Sequence, residues 1–197
     1  RTHAQAIAAC GNYNIASCSA EAVECGDIQL DSYNIADIIL GLEKDDGHSL
    51  VSYKALPQTL QDKMAHFTAR GGALLVSGSY VGSDMTTIGE RLFLTDILKC
   101  RHAGTYTAKN DIVNGLGTKF AFHRQLNEKH YAATHPDIVQ AVEPAYPAMA
   151  YADGTAAAVA YDGSDYKSFV MGFPLECIKD AEKRTAIMRG ILQFLSK

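Results

Sequence analysis

Ser79 lies in a stretch whose residue types suit a nucleophile or an anion-binding turn. The sequence GGALLVSGSYVGSDM covers residues 71–85, with a glycine pair, an apolar run and a small polar turn before a helical pattern. A strand that ends in such a turn presents a serine hydroxyl, or a set of backbone amides, at the edge of an α/β sheet. Ser79 is therefore the candidate nucleophile. The candidate ligand-binding residues of the turn are Gly78, Tyr80, Ser83 and Asp84.

The glycine spacing around Ser79 departs from a nucleophile elbow. The G-x-S-x-G pattern places glycines two residues before and two after the serine, where this sequence has Ser77 and Val81. A serine nucleophile also needs a base within hydrogen-bond reach. The turn lacks the lysine of a phosphate-binding loop. The sequence favours a Gly/Ser-rich loop that caps the next helix. The backbone amides at the start of that helix could hold a carboxylate or sulfate.

Other residues with reactive side chains are scattered. Glu176 follows a strand-like run, and with Asp84 it could face across the carboxyl edge of a sheet. His130 and His135 are five residues apart, which matches neither a helical zinc pair nor one face of a strand, so we predict that they are surface or loop residues. We expect no metal and no cofactor. The tyrosines of residues 146–166 could form a sugar-stacking surface. The commoner arrangement is that such tyrosines alternate along strands and pack in the core.

Composition indicates a globular protein with no electrostatic reason to bind nucleic acid. The chain has 197 residues, a formal charge of -4 and 47% hydrophobic residues, with no basic stripe. No apolar run reaches the roughly 18 to 20 residues of a membrane span. The five cysteines lack C-x-x-C spacing, and Cys18 with Cys25 is the pair that would form a disulfide in an exported protein.

Hydrophobic periodicity predicts one α/β domain over residues 1–197. Helices are predicted at 2–11, from 56 to the glycines 71–72, over 86–100 and over 180–195; strands are predicted at 14–19, 36–42 and 73–78, with a loop at 45–49. Residues 156–173 form an antiparallel hairpin around a DGSD turn. The alternation predicts a doubly wound, mostly parallel sheet flanked by helices. Because the first helix has no strand before it, we expect a fragment of a larger protein that lacks its first strand.

Three segments carry a resemblance to a known family. YNIADIILGLEK, FTARGGALLVSGSYVGSDM and DGTAAAVAYDGSDYKSFVMGFPLE, with the closing helix, resemble the class I glutamine amidotransferase-like, flavodoxin-like domain. The nearest form is that found in exported Bacteroidetes proteins labelled xanthan lyase or golvesin-like. The resemblance implies a cysteine on an elbow and a late G-x-Q-x-H-P-E motif. Here Glu176 matches the glutamate, but the cysteine and the histidine are missing.

The absence of two triad members argues against glutamine hydrolysis and leaves three hypotheses. The leading one is a non-catalytic module of an exported polysaccharide- or cell-wall-processing protein, periplasmic, cell-surface or extracellular, that binds a glycan or a neighbouring domain. The second is a hydrolase with Ser79 as nucleophile, Glu176 as orienting or acid-base group and a histidine from residues 102–135. The third is a structural or oligomerisation domain.

Overall fold

The computed structural model describes residues 1–44, 48, 53–127 and 129–196. Five α-helices lie in this part of the chain: α1 (Thr2–Ala8), α2 (Ala20–Glu24), α3 (Gln58–Ala69), α4 (Ile88–Asp96) and α5 (Ala181–Leu195). Two 3-10 helices cover Leu30–Ser32 and Leu175–Cys177. None of the described helices is both long enough and apolar enough to span a membrane.

Nine strands form two sheets in the described residues. They are β1 (Ile35–Gly41), β2 (Ala73–Gly78), β3 (Cys100–Thr105), β4 (Ile112–Gly115), β5 (Thr118–Ala121), β6 (Asp137–Ala141), β7 (Tyr146–Tyr151), β8 (Ala156–Asp162) and β9 (Lys167–Met171). Seven of them form one sheet in the order β1-β2-β9-β8-β7-β4-β5, and β3 pairs with β6 in a second sheet.

The predicted doubly wound, mostly parallel sheet is wrong. Only the β1–β2 and β2–β9 pairings are parallel; the other four pairings of the large sheet, and the β3–β6 pairing, are antiparallel. The physical reason lies in the connections. α3 provides the long crossover that parallel β1 and β2 require, whereas short turns join β4 to β5, β7 to β8 and β8 to β9, and short turns pair strands antiparallel.

Apolar residues pack on both faces of the large sheet. On β2, Leu74 belongs to a core cluster with Met64 of α3, while the adjacent Leu75 belongs to a cluster with Ile187 of α5. Successive side chains of a strand point to opposite faces, so β2 is buried on both sides. A fully buried leucine contributes about 1.5–3 kcal/mol, which makes β2 a rigid support for the turn that follows it.

Several local elements differ from their predicted bounds. β2 has the predicted ends, but α1 ends at Ala8, before the predicted Gly11, and residues 14–19 form no strand. The cap of α4 is Thr87, which forms a capping box with Glu90. The loop predicted at residues 45–49 lies, except for His48, outside the described residues. All five cysteines, including Cys18 and Cys25, are free thiols.

Candidate functional site

The carboxyl ends of the three parallel-paired strands bring the candidate residues to one edge of the sheet. Leu42 follows β1, Ser79 follows β2, and Glu176 lies in the 3-10 helix shortly after β9. Open α/β sheets bind ligands at the carboxyl ends of parallel strands. This edge is therefore the candidate functional site.

His3 of α1 lies between the carboxylates of Asp37 and Glu176, an arrangement that no sequence pattern predicts. Its Nδ1 is 2.7 Å from Oδ2 of Asp37 on β1, a hydrogen bond, and its Nε2 is 3.3 Å from Oε2 of Glu176, a longer ion pair. His3 is only 2% exposed. The imidazole therefore joins α1, β1 and the segment after β9.

The charges of this trio reinforce one another. Burial lowers the pKa of His3, but the hydrogen bond to Asp37 and the ion pair with Glu176 outweigh it and raise this pKa to about 9. Burial raises the pKa of Glu176, and His3 outweighs that effect so that the net shift is downward. At neutral pH an imidazolium thus holds two carboxylates, and Glu176 is an ionised, positioned group.

The turn after β2 binds a carboxylate of the same chain. Asp137, the first residue of β6, is fully buried, and its Oδ2 accepts hydrogen bonds from the backbone amides of Gly82 at 2.7 Å and Ser83 at 2.9 Å. Its Oδ1 lies 3.5 Å from Nδ1 of His102. Burial raises the pKa of Asp137, although the two amides oppose the shift. The two amides are therefore not available to an external anion.

Ser79 lies inside the turn and is not presented at the surface. It is fully buried, its amide donates to the carbonyl of Gly41 at 2.8 Å, and its hydroxyl has no hydrogen-bond partner among the described residues. A Cβ at Gly78 would lie 2.8 Å from the Cβ of Leu40, so the glycine permits the close approach of the two strand ends. No described histidine is hydrogen-bonded to Ser79 as a base.

Asp84 connects the turn to the segment before α3. The residue is 7% exposed, its Oδ2 accepts the amide of Ala55 at 2.9 Å, and Nζ of Lys54 donates to its carbonyl at 2.6 Å. Asp84 and Glu176 thus have different partners. Asp84 holds the chain in place and does not face solvent.

Tyrosines and carboxylates of the described residues reach solvent at this edge: Glu43, Tyr53 and Tyr131 are exposed, whereas Tyr80 and Glu176 are partly buried. We call Glu43, Tyr53, Tyr80, Tyr131 and Glu176 the tyrosine rim. Tyr53 and Tyr131 are 45% and 40% exposed, and Nζ of Lys44 lies 5.0 Å from the ring centre of Tyr80. Burial and Glu43 raise the pKa of Tyr53 to about 12, and burial and Glu176 raise that of Tyr131 to about 12. The phenols of Tyr53 and Tyr131 are therefore neutral at physiological pH, and the rim combines aromatic rings with carboxyl groups.

Sequence reasoning missed His3, Asp37, Asp137 and Tyr131, because their partners are distant in the chain. His130 and His135 are exposed, and no group of three or more His, Cys, Asp or Glu among the described residues could hold a metal. In the region predicted to offer sugar-stacking tyrosines, Tyr151, Tyr161 and Tyr166 are buried and only Tyr146 is exposed. The tyrosines that reach solvent at the edge come from other segments.

Fold and site together define an α/β domain with a mixed, largely antiparallel sheet. No protein-family model and no curated protein matches the sequence. Solved structures with a similar fold include the mmIFT52 N-terminal domain, with a TM-score of 0.60, 12% identity, and coverage of 100% of this chain and 90% of that chain. Cytoplasmic Protein STM3548 from Salmonella typhimurium has a TM-score of 0.59 and 11% identity over 98% of this chain and 85% of that one.

A third similar structure is Gan42B, a GH42 beta-galactosidase, with a TM-score of 0.57 and 12% identity. The match covers 86% of this chain, which spans only 22% of the length of Gan42B. At these identities the likeness extends to the fold alone.

The resemblance to the class I glutamine amidotransferase-like, flavodoxin-like domain of xanthan lyase or golvesin-like proteins is wrong. Four of the six pairings in the large sheet are antiparallel, and the similar structures include the mmIFT52 N-terminal domain, the STM3548 protein and a part of a beta-galactosidase. Their names give no indication of export, and one is named a cytoplasmic protein. The comparison therefore provides no support for secretion.

Proposed function

We propose that this chain is a non-catalytic binding domain whose tyrosine rim binds a glycan. The observation that carries the proposal is the exposure of Tyr53 and Tyr131, at 45% and 40%, beside Glu43 and Glu176. Pyranose rings have apolar C–H faces that pack on aromatic rings, and hydroxyls that donate to carboxylates. The rim offers both kinds of contact on a single edge.

The His3 contacts make Glu176 a good acceptor. Because the buried imidazolium lowers the pKa of Glu176 and fixes one of its oxygens, the carboxylate is charged and oriented before a ligand arrives. Preorganisation of this kind reduces the entropic cost of binding. Glu176 serves here as a hydrogen-bond acceptor, with no role as a catalytic acid.

The state of Ser79 supports binding over hydrolysis. A serine nucleophile requires an adjacent base and access to substrate, whereas this hydroxyl is fully buried and has no hydrogen-bond partner among the described residues. A fluorophosphonate probe tests the hydrolase directly. We expect no labelling of Ser79, and covalent labelling that Ser79→Ala abolishes would favour the hydrolase.

Calorimetry with a panel of cell-envelope glycans tests the binding role. We expect Tyr131→Ala and Tyr80→Ala to weaken binding at least about fivefold, on the basis of about 1 kcal/mol per lost aromatic contact. Tyr131→Phe keeps the ring and should retain most of the affinity.

Tyr146→Ala is the matched control, since Tyr146 is 46% exposed on β7. Failure of every glycan to bind would count against the proposal. Saturable binding of another protein domain at the rim, with no glycan binding, would identify the edge as a domain interface.

A further inference from the structure

A groove lies at the opposite, amino ends of β1 and β2. It has a volume of about 730 Å³ and is lined by the residues before β1, the residues before β2, the loop after α1 and the end of α5. Small-molecule sites typically occupy about 300–1,000 Å³. A Cβ at Gly72 would lie 2.4 Å from the ring of Phe67, so the glycine allows the floor of the groove to lie directly on the core.

The lining of the groove carries polar groups that the fold does not use. Asn12, Asn14 and Asn34 line it, and their side-chain amides form no hydrogen bond with another described residue. Each amide provides two donors and an acceptor with two lone pairs. Tyr13 and Tyr33, both 38% exposed, stand among them. Planar amides beside aromatic rings form a surface for a ligand with many hydroxyls and an apolar face.

The charged residues of the groove compensate each other. Oδ2 of Asp31 lies 3.1 Å from Nε of Arg70, which also lines the groove, and 3.3 Å from Nε2 of His66, which does not. Arg70 is 64% exposed at its side chain, and its terminal nitrogens hydrogen-bond no described residue, so they remain available as donors. Because an acidic and a basic side chain are already paired here, the groove favours an uncharged ligand over a phosphate or a carboxylate.

We propose that this groove is a second binding site, for a neutral oligosaccharide. Tyr13 and Tyr33 provide stacking surfaces, the three asparagines exchange hydrogen bonds with hydroxyls, and Arg70 donates to a ring or hydroxyl oxygen. The site is at the opposite end of the parallel strands from the tyrosine rim and shares no residue with it. Its existence does not depend on the function proposed for the rim.

The test is a ¹⁵N-resolved NMR titration of the 197-residue chain with cellotriose, maltotriose and mannotriose. A trimer of glucuronic acid and a neutral tripeptide serve as comparison ligands. We expect at least one neutral trisaccharide to shift the amide signals of residues 12–14 and 31–34 saturably, and the two comparison ligands to bind more weakly.

Two groove variants and one control variant assign the site. Tyr33→Ala and Asn14→Ala should each weaken binding at least about fivefold, which corresponds to the loss of about 1 kcal/mol. Tyr146→Ala, at an exposed residue outside the groove and the rim, should leave the affinity unchanged. Asn14 is exposed in a loop, so its variant is informative even if Tyr33→Ala fails to fold.

The proposal is overturned if no neutral trisaccharide shifts the groove signals, if the glucuronate trimer or the tripeptide binds more tightly, or if Asn14→Ala binds as the parent does. If glycans bind in the groove and not at the rim, the function proposed for the rim is overturned and the groove proposal stands.

Discussion

The Oδ2 atom of Asp137 accepts a 2.7 Å hydrogen bond from the backbone amide of Gly82, 55 residues earlier in the chain. The turn after β2 has an anion-binding geometry, and the fold fills it with its own buried carboxylate. The same turn keeps Ser79 beneath the surface. What reaches solvent at this edge is the tyrosine rim.

Replacement of the Asp137 carboxylate tests its role in the turn. Asp137→Ala leaves the amides of Gly82 and Ser83 without an acceptor, so we expect the free energy of unfolding to fall by about 2–3 kcal/mol. Asp137→Asn retains an amide oxygen in the same place and should cost less than half as much. Urea denaturation measures both, and equal losses for the two variants would contradict this account.

The interactions of His3 with Asp37 and Glu176 make the stability of the fold depend on pH. The folded pKa of about 9 lies above the ordinary value of about 6.5, so this stabilisation is fully present below the lower value and is lost as the pH rises through the higher one. Relative to His3→Gln, the parent should lose on the order of 3 kcal/mol between about pH 6 and 10.

Denaturation curves at a series of pH values measure that difference. His135→Gln is the control, since His135 is exposed, and its curve should run parallel to the parent's. If the curve for His3→Gln also runs parallel to that of the parent, the interactions of His3 with Asp37 and Glu176 do not stabilise the fold.

Replacement of Gly172 and of Gly89 by alanine should change the free energy of unfolding in opposite directions. A Cβ at Gly172 would lie 2.1 Å from the carbonyl oxygen of Asp137, whereas one at Gly89 in α4 would meet nothing within 4 Å. We expect Gly172→Ala to lower the free energy of unfolding by about 1–3 kcal/mol and Gly89→Ala to raise it by about 0.5–1 kcal/mol. Thermal melts compare them, and a stable Gly172→Ala variant would be inconsistent with the packing described.

Removal of the Ser79 hydroxyl should stabilise the protein. The hydroxyl is buried and hydrogen-bonds none of the described residues, so Ser79→Ala should raise the free energy of unfolding by about 1 kcal/mol. Thr87→Ala removes a hydroxyl that caps α4 and should cost about 1 kcal/mol. A loss of stability on Ser79→Ala would indicate that the hydroxyl does have a partner.

Local patterns were enough to locate several elements and the turn. The apolar run before Gly78 predicts β2 with its observed ends, and the helical spacing after residue 180 predicts α5. Both signals lie within a short window, where periodicity and the conformational preferences of glycine act directly. The alternation of these elements suggested parallel pairing, and that inference was wrong, because strand direction depends on connections that the pattern of the second half did not specify.

The sequence by itself determined where β2 begins and ends, that a helix follows residue 180, and that the turn after β2 lacks the spacing of an elbow. The tertiary structure alone decided that Asp137 fills this turn, that His3 joins Asp37 to Glu176, and that Glu176 lies near enough to Tyr131 to raise its pKa. These partners are separated by 34 to 173 residues, with Asp37 and Glu176 at the two limits from His3. A hydrogen bond or ion pair depends on distances of a few ångströms, which no spacing along the chain fixes until the strands are paired.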